Sequence, residues 1–212
     1  MTPKPRTIVY VDGFNLYYGA VKGTPHKWLN LERYFTLLRP ADDILAIKYF
    51  TAEIMGPTKP NQDVFLGALA TLPRVEIILG KFKRKRVRCE FAACVTTSPA
   101  ARFFEKPEEK RTDVNIAVTM LDDAYQDQCD QFVIVSGDSD LVPAVRMIRA
   151  RFPAKTILVY IPAQNPLRGA AVELRGAAHK HRLLPLNLIP LCQFATNVPD
   201  GTGGFFTKPA SW

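Results

Sequence analysis

Short apolar runs alternate with segments of helical spacing along most of the chain. Thr7–Val11 reads as a buried strand ending at Asp12-Gly13. Ile44–Thr51, Val75–Leu79, Phe132–Val135 and Thr156–Ile161 read as four more, and Leu183–Leu186 as a short edge piece. Between them the apolar residues recur at helical intervals. Leu29–Leu38 is one such segment, stopped by Pro40, and Gln62–Leu72 is another, with Val64, Phe65, Ala68, Leu69 and Leu72. Thr112–Tyr125 carries Val114, Val118, Leu121 and Tyr125, and Leu141, Val145 and Ile148 mark a further helix. Strands alternating with helices predict βαβ units, hence a three-layer α/β domain with a mostly parallel, Rossmann-like central sheet. Strands this uniformly apolar fit a sheet covered on both faces.

Two stretches break the rhythm. From Val87 to Lys106 the pattern fits a hairpin or an insertion. Asn197–Trp212 holds Pro199, Gly201, Gly203, Gly204 and Pro209 with little periodicity. It reads as a flexible tail, with Phe205, Phe206 and Trp212 as the residues that would dock it. The expected division is a single domain over residues 1–190 and a tail over 191–212.

Composition narrows the class. The chain has 212 residues, 47% of them hydrophobic and 23% charged, which suffices for one sizeable core and excludes collagen-like or largely disordered sequences. No apolar run approaches the roughly 18–20 residues of a membrane helix. The basic start is followed only by Ile8-Val9-Tyr10-Val11, too short for a secretory core, so a cytoplasmic protein is expected. The net charge of +8 biases its partners toward polyanions, or else is a solvated basic surface. Cys89, Cys94, Cys129 and Cys192 are too few for a disulfide scaffold. Cys89 and Cys94 have the spacing of half a zinc site, but no second Cys/His pair completes it.

Open parallel sheets bind ligands beyond the carboxyl ends of their strands, where strand order reverses. Asp12 follows the first strand, and Asp138 and Asp140 follow the fourth in Ser136-Gly137-Asp138-Ser139-Asp140. Asp113 lies in the first turn of the helix that leads into that strand. Each has a structural explanation: a turn at Asp12-Gly13, a helix dipole at Asp113, an N-cap at Ser139. Together they would share one crevice, where several carboxylates repel one another until some protonate or a cation neutralises them. A hard divalent ion with oxygen ligands is the natural partner. Such an ion can polarise a phosphoryl oxygen and activate a water. Asn15, Ser136 and Ser139 are neutral groups suited to orienting that water or a phosphate.

Ile8-Val9-Tyr10-Val11-Asp12-Gly13-Phe14-Asn15-Leu16 resembles the opening motif of the NYN domain, in the LabA/DUF88-like branch of the PIN-like nuclease superfamily. Lys110-Arg111-Thr112-Asp113-Val114-Asn115-Ile116-Ala117 resembles its central motif, and Val133–Pro143 its third. The three occur in order over roughly residues 6–165. The resemblance implies a PIN-like fold and a Mg²⁺- or Mn²⁺-dependent ribonuclease. Asp12, Asp113, Asp138 and Asp140 would be the metal-binding and catalytic acids, with Asn15 and Ser136 positioning the scissile phosphate or a water. RNA would be the partner, and the oligomeric state stays open, a homo-oligomer included.

The segment Lys81–Arg88 departs from that pattern. It carries Lys81, Lys83, Arg84, Lys85, Arg86 and Arg88, and it leaves the third strand at the acidic edge. Cations there would offset the repulsion between acids and RNA by contacting phosphates without reading sequence. Lys110 and Arg111 are further phosphate candidates, and Phe82 and Phe91 could stack on bases. The alternative is a solvated hairpin whose charges guard an exposed edge. His26, His179 and His181 stand in no motif, and neither a G-x-S-x-G elbow nor a phosphate-binding G-x-x-x-x-G-K-[ST] loop is present. Two rival functions remain: a non-catalytic RNA-binding or scaffold module, and a metal-dependent phosphatase.

Overall fold

The computed structural model describes residues 3–91, 103–164 and 171–212. Six strands form one sheet: β1 (Arg6–Asp12), β2 (Asp43–Thr51), β3 (Val75–Leu79), β6 (Gln131–Val135), β7 (Thr156–Ile161) and β8 (Lys180–Leu183). Their order is β3-β2-β1-β6-β7-β8, and every neighbouring pair is parallel. The chain builds outward from β1 to β3 and returns to β6 on the other side of β1. The topological switch therefore falls between β1 and β6, where a parallel sheet opens a crevice at its carboxyl edge.

Alternation along the central strands fixes the layers. Val9 and Val11 of β1 and Val133 and Val135 of β6 face α2 (Leu31–Leu38), packing with Leu31, Tyr34 and Phe35. Ile8, Tyr10, Phe132 and Ile134 face the opposite layer, formed by α4 (Thr112–Tyr125), α5 (Val142–Arg151) and α6 (Val172–Ala177). Successive strand residues point to opposite sides, so a strand buried on both faces has no polar alternation to display. The helix α2 begins at Leu31, not Leu29, because the Asn30 side chain caps it, accepting from the Arg33 amide at 2.8 Å.

For α4 the sequence places the helix correctly, but of the four apolar positions it singles out only Leu121 packs against the core. Val114, Val118 and Tyr125 are exposed, at 63%, 59% and 61%. The face turned to the sheet is Ile116, Met120 and Ala124 instead.

The tail also differs from expectation. β9 (Asn197–Pro199) and β10 (Phe205–Thr207) pair antiparallel. Phe206 lies over Gly67 of α3 (Lys59–Ala70), where any side chain would meet its ring. Trp212 contacts the rings of Phe65 and the fully buried Trp28, at 5.7 and 6.3 Å between centroids. The aromatics do dock, and their burial outweighs the cost of ordering a glycine-rich segment.

Among the described residues no helix is long and apolar enough to cross a membrane. Cys94, half of the weighed zinc pair, lies outside the described residues.

Candidate active site

The acids gather at the switch point, each held by a different local rule. Asp12 ends β1 and caps the short helix α1 (Gly13–Leu16), accepting from the Asn15 amide at 2.9 Å. Its other carboxylate oxygen accepts from the Asn15 side-chain amide and, at 3.0 Å, from the Ser136 hydroxyl at the end of β6. The Asn15 carbonyl oxygen in turn accepts from the Gly137 amide, and Ser136 Oγ from the Asp138 amide. Asn15 and Ser136, expected to orient a water or phosphate, thus fasten Asp12 to the loop after β6. Gly13 allows the next step to be tight: a Cβ there would stand 2.7 Å from the Tyr49 ring.

Asp138, rather than Ser139, caps the helical turn Ser139–Leu141, accepting from the Asp140 amide at 2.9 Å. Asp140 and Ser139 are exposed on that turn. Asp113 sits half-buried in the first turn of α4 and accepts no hydrogen bond among the described residues.

The electrostatics tie these positions together. Burial raises the Asp12 carboxyl above its ordinary value against the pull of Asn15 and Ser136, and the Asp138 charge raises it further. Asp113 is pushed up to about 6, first by burial and then by the charges of Asp138, Asp12, Glu109 and Asp140. Glu109 is a member that the sequence reading missed; it accepts from the amide and hydroxyl of Thr112, beside Asp113. Among the described residues no ion pair involves any of Asp12, Asp113, Asp138 or Asp140. The cluster is therefore mutually repulsive and uncompensated.

Convergence is looser than the sequence predicts. Among the described residues no three His, Cys, Asp or Glu side chains are grouped closely enough to hold an ion. The donor set still fits a hard cation. All the donors are carboxylate oxygens, and Mg²⁺ characteristically takes one or two carboxylates while keeping several waters.

The basic segment forms β4 (Lys81–Arg88), paired antiparallel with β5 (Phe103–Lys110) as a separate two-stranded ribbon. Its root lies at the acidic edge: Lys81 pairs with Lys110, one residue before Arg111 and three before Asp113. Phe82 meets Phe14 of α1 edge-on at 5.6 Å. The register sorts the charges. Arg84, Arg86 and Arg88 share a face with Phe82, whereas Lys81, Lys83 and Lys85 share the other.

All six basic side chains of β4 are exposed, as are Lys110 and Arg111. Part of the charge is spent within the ribbon. Arg84 pairs with Glu105 at 3.0 Å and Lys110 with Glu108 at 2.9 Å, while Arg86 lies over the Phe103 ring.

The fold agrees with the family comparison: the NYN domain model matches residues 6–184, and the chain belongs to the NYN domain family, within the PIN-like nuclease superfamily. Family membership points to nuclease-like chemistry. A curated relative, the 6-hydroxy-3-succinoylpyridine 3-monooxygenase HspA of Pseudomonas putida, is 31% identical over 98% of this chain and 75% of its own length. Among solved structures, a protein of unknown function from Vibrio parahaemolyticus shares the fold at a TM-score of 0.53 and 17% identity, covering 87% of this chain and 95% of its own.

Proposed function

We propose that the protein is a metal-dependent endoribonuclease that hydrolyses RNA phosphodiester bonds at the carboxyl edge of β1 and β6. The observation that carries this reading is the uncompensated acid cluster at the switch point, flanked by an exposed basic ribbon. Asp12, Asp113, Asp138 and Asp140 are the residues that would hold Mg²⁺ or Mn²⁺. When bound, such an ion polarises a phosphoryl oxygen and lowers the pKa of a water. The chain's own residues supply the rest. Asn15 and Ser136 lock the Asp12 carboxylate in place, so its lone pairs are fixed before substrate arrives. Asp138 is fixed by the same loop. Burial and the neighbouring carboxylates disfavour the charged form of Asp113 in the metal-free site, and a bound cation would relieve that penalty. Exposed Lys83, Lys85, Arg86, Arg88 and Arg111 would draw the RNA backbone toward the acids.

The test is a 5′-labelled single-stranded RNA incubated with Mn²⁺, with and without chelator. Cleavage abolished by chelator and leaving 5′-phosphate and 3′-hydroxyl ends supports the reading. Turnover of a small phosphomonoester with none of RNA overturns it in favour of a phosphatase, and RNA binding without cleavage in favour of a binding module.

A second reading has its own observation. A cavity lined by aromatic side chains opens beside Asp12, and the Pseudomonas relative is named for oxidising a substituted pyridine. Oxygenation of a small aromatic compound would require dioxygen and a reductant as co-reactants. Consumption of dioxygen that needs both 6-hydroxy-3-succinoylpyridine and an added two-electron reductant such as NADH, measured at an oxygen electrode, would support it.

A further inference from the structure

The cavity beside Asp12 has a volume of about 500 Å³, within the roughly 300–1,000 Å³ range of small-ligand sites. Its walls come from separate parts of the chain: Phe14 of α1, Tyr49 of β2, Phe65 of α3, Phe82 of the basic ribbon and Trp212 of the docked tail. These rings touch in two sets. Phe14 meets Phe82 edge-on at 5.6 Å, Tyr49 meets Phe65 at 6.3 Å, and Phe65 meets Trp212 at 5.7 Å. Among the described residues Lys27 also lines the cavity. Lys27 Nζ stands 5.9 Å from the centre of the Trp212 ring and makes no ion pair among the described residues.

The cavity and the acid cluster share a wall. Gly13 directly follows Asp12, lines the cavity and lies against the Tyr49 ring.

We propose that this cavity is a ring-binding subsite that takes one planar aromatic ring bearing an anionic group, the ring among Phe14, Phe65, Phe82 and Trp212 and the anion at Lys27. Aromatic walls favour a planar guest through stacked and edge-on contacts, which aliphatic walls do not offer. An unpaired ammonium at such a wall favours an anionic substituent over a neutral one. Two sources carry this chemistry, a nucleotide and a free aromatic acid. Ring binding here does not depend on phosphodiester cleavage at the neighbouring acids, so the two readings fail separately.

The chain has two tryptophans, Trp28 and Trp212, and their rings are in contact, so tryptophan fluorescence reports the site. Titrations without divalent metal would use adenosine 5′-monophosphate, benzoate and, as a ring-free anion, ribose 5-phosphate. Saturable quenching by adenosine 5′-monophosphate but not ribose 5-phosphate supports the subsite and assigns a nucleotide. Quenching by benzoate alone supports it and assigns a free aromatic acid. Phe82→Ala should weaken the effective ligand about tenfold, the scale of one lost stacking contact, with an unchanged thermal melt. Lys27→Gln should weaken adenosine 5′-monophosphate more than adenosine, or benzoate more than benzamide, and keeps the test open should Phe82→Ala fold poorly. No quenching by either ring compound, equal quenching by ribose 5-phosphate, or affinity untouched in both variants would overturn the proposal.

Discussion

Replacing Asp113 by Asn should stabilise the metal-free protein, and only on the alkaline side of its titration. The Asp113 carboxyl is raised from 3.8 to about 6, so its charged form is disfavoured by folding. For an acid raised in this way the folding penalty is absent below the unfolded value, grows between 3.8 and 6, and is complete above that. The gap of about 2 units corresponds to at most about 3 kcal/mol at 1.36 kcal/mol per unit. Asp113 is only half-buried and solvent screens its neighbours' charges, which reduces the expected gain to about 1 kcal/mol. Asn115 and the rest of the first turn are undisturbed, because the Asp113 side chain accepts no hydrogen bond among the described residues. At about 2–4 °C per kcal/mol for a chain of this size, the melting temperature at pH 7.5 should rise by a few degrees. At pH 3.5, if the fold persists, wild type and variant should melt together. Differential scanning calorimetry in chelator at the two pH values measures this. Adding Mn²⁺ should then raise the wild type more than the variant, since the cation relieves the same repulsion. A variant that loses stability at pH 7.5, or gains equally at both pH values, would refute the reasoning.

Replacing Lys83, Arg84, Lys85 and Arg86 together by Ala should weaken binding to all single-stranded RNA sequences alike. Because Arg84 is already held by Glu105, the log–log salt slope should fall by about 2, from roughly three lost phosphate contacts at about 0.7 each; fluorescence anisotropy over a salt series reads it, and an unaltered slope would move the RNA path to Arg146, Arg149 and Arg151. Gly13→Ala should cost about 1–3 kcal/mol in a denaturant melt, since the new Cβ must displace Tyr49 and the strand end beneath it. Phe206→Ala should cost about 1–2 kcal/mol by the same measurement, because the ring is packed on α3 but not fully buried; a freely moving tail would give no change.

The central sheet is legible because β1, β6 and β7 carry unbroken apolar runs, Ile8–Val11, Phe132–Val135 and Ile157–Ile161, as strands covered on both faces do. Asp12 and Asp138 stand out for the same reason, since they lie just past the ends of the β1 and β6 runs, whereas Asp113 lies in the first turn of a helix. What fails is whatever depends on distant partners. Two stripes on α4 match a helical period, and Val114 and Val118 look as apolar as Ile116 and Met120; only the position of the sheet decides between them. The tail docks through Trp28, whose indole also donates to the Ala195 carbonyl 167 residues away. Its glycine-rich turn is ordered by Asp200, which accepts from the Thr202 and Gly204 amides. The basic run reads as free charge because the register that brings Glu105 to Arg84 is a property of the ribbon, not of the run. Glu109 escapes notice because it belongs to β5 and precedes the motif that carries Asp113.

Asp138 offers the most direct test of metal-dependent cleavage at the switch point. Asn at this position keeps a side-chain oxygen to cap Ser139–Leu141 and removes one charge from the cluster, so the fold should be retained. The measurement is the initial rate of cleavage of a labelled single-stranded RNA as Mn²⁺ is titrated, on wild type and Asp138→Asn purified in parallel. The wild-type rate should rise to saturation with Mn²⁺, and the variant should be slower by roughly a hundredfold or more, the scale of losing one charge-bearing group at a reacting centre. Equal rates in the two proteins, or no Mn²⁺-dependent cleavage in the wild type, would contradict the account.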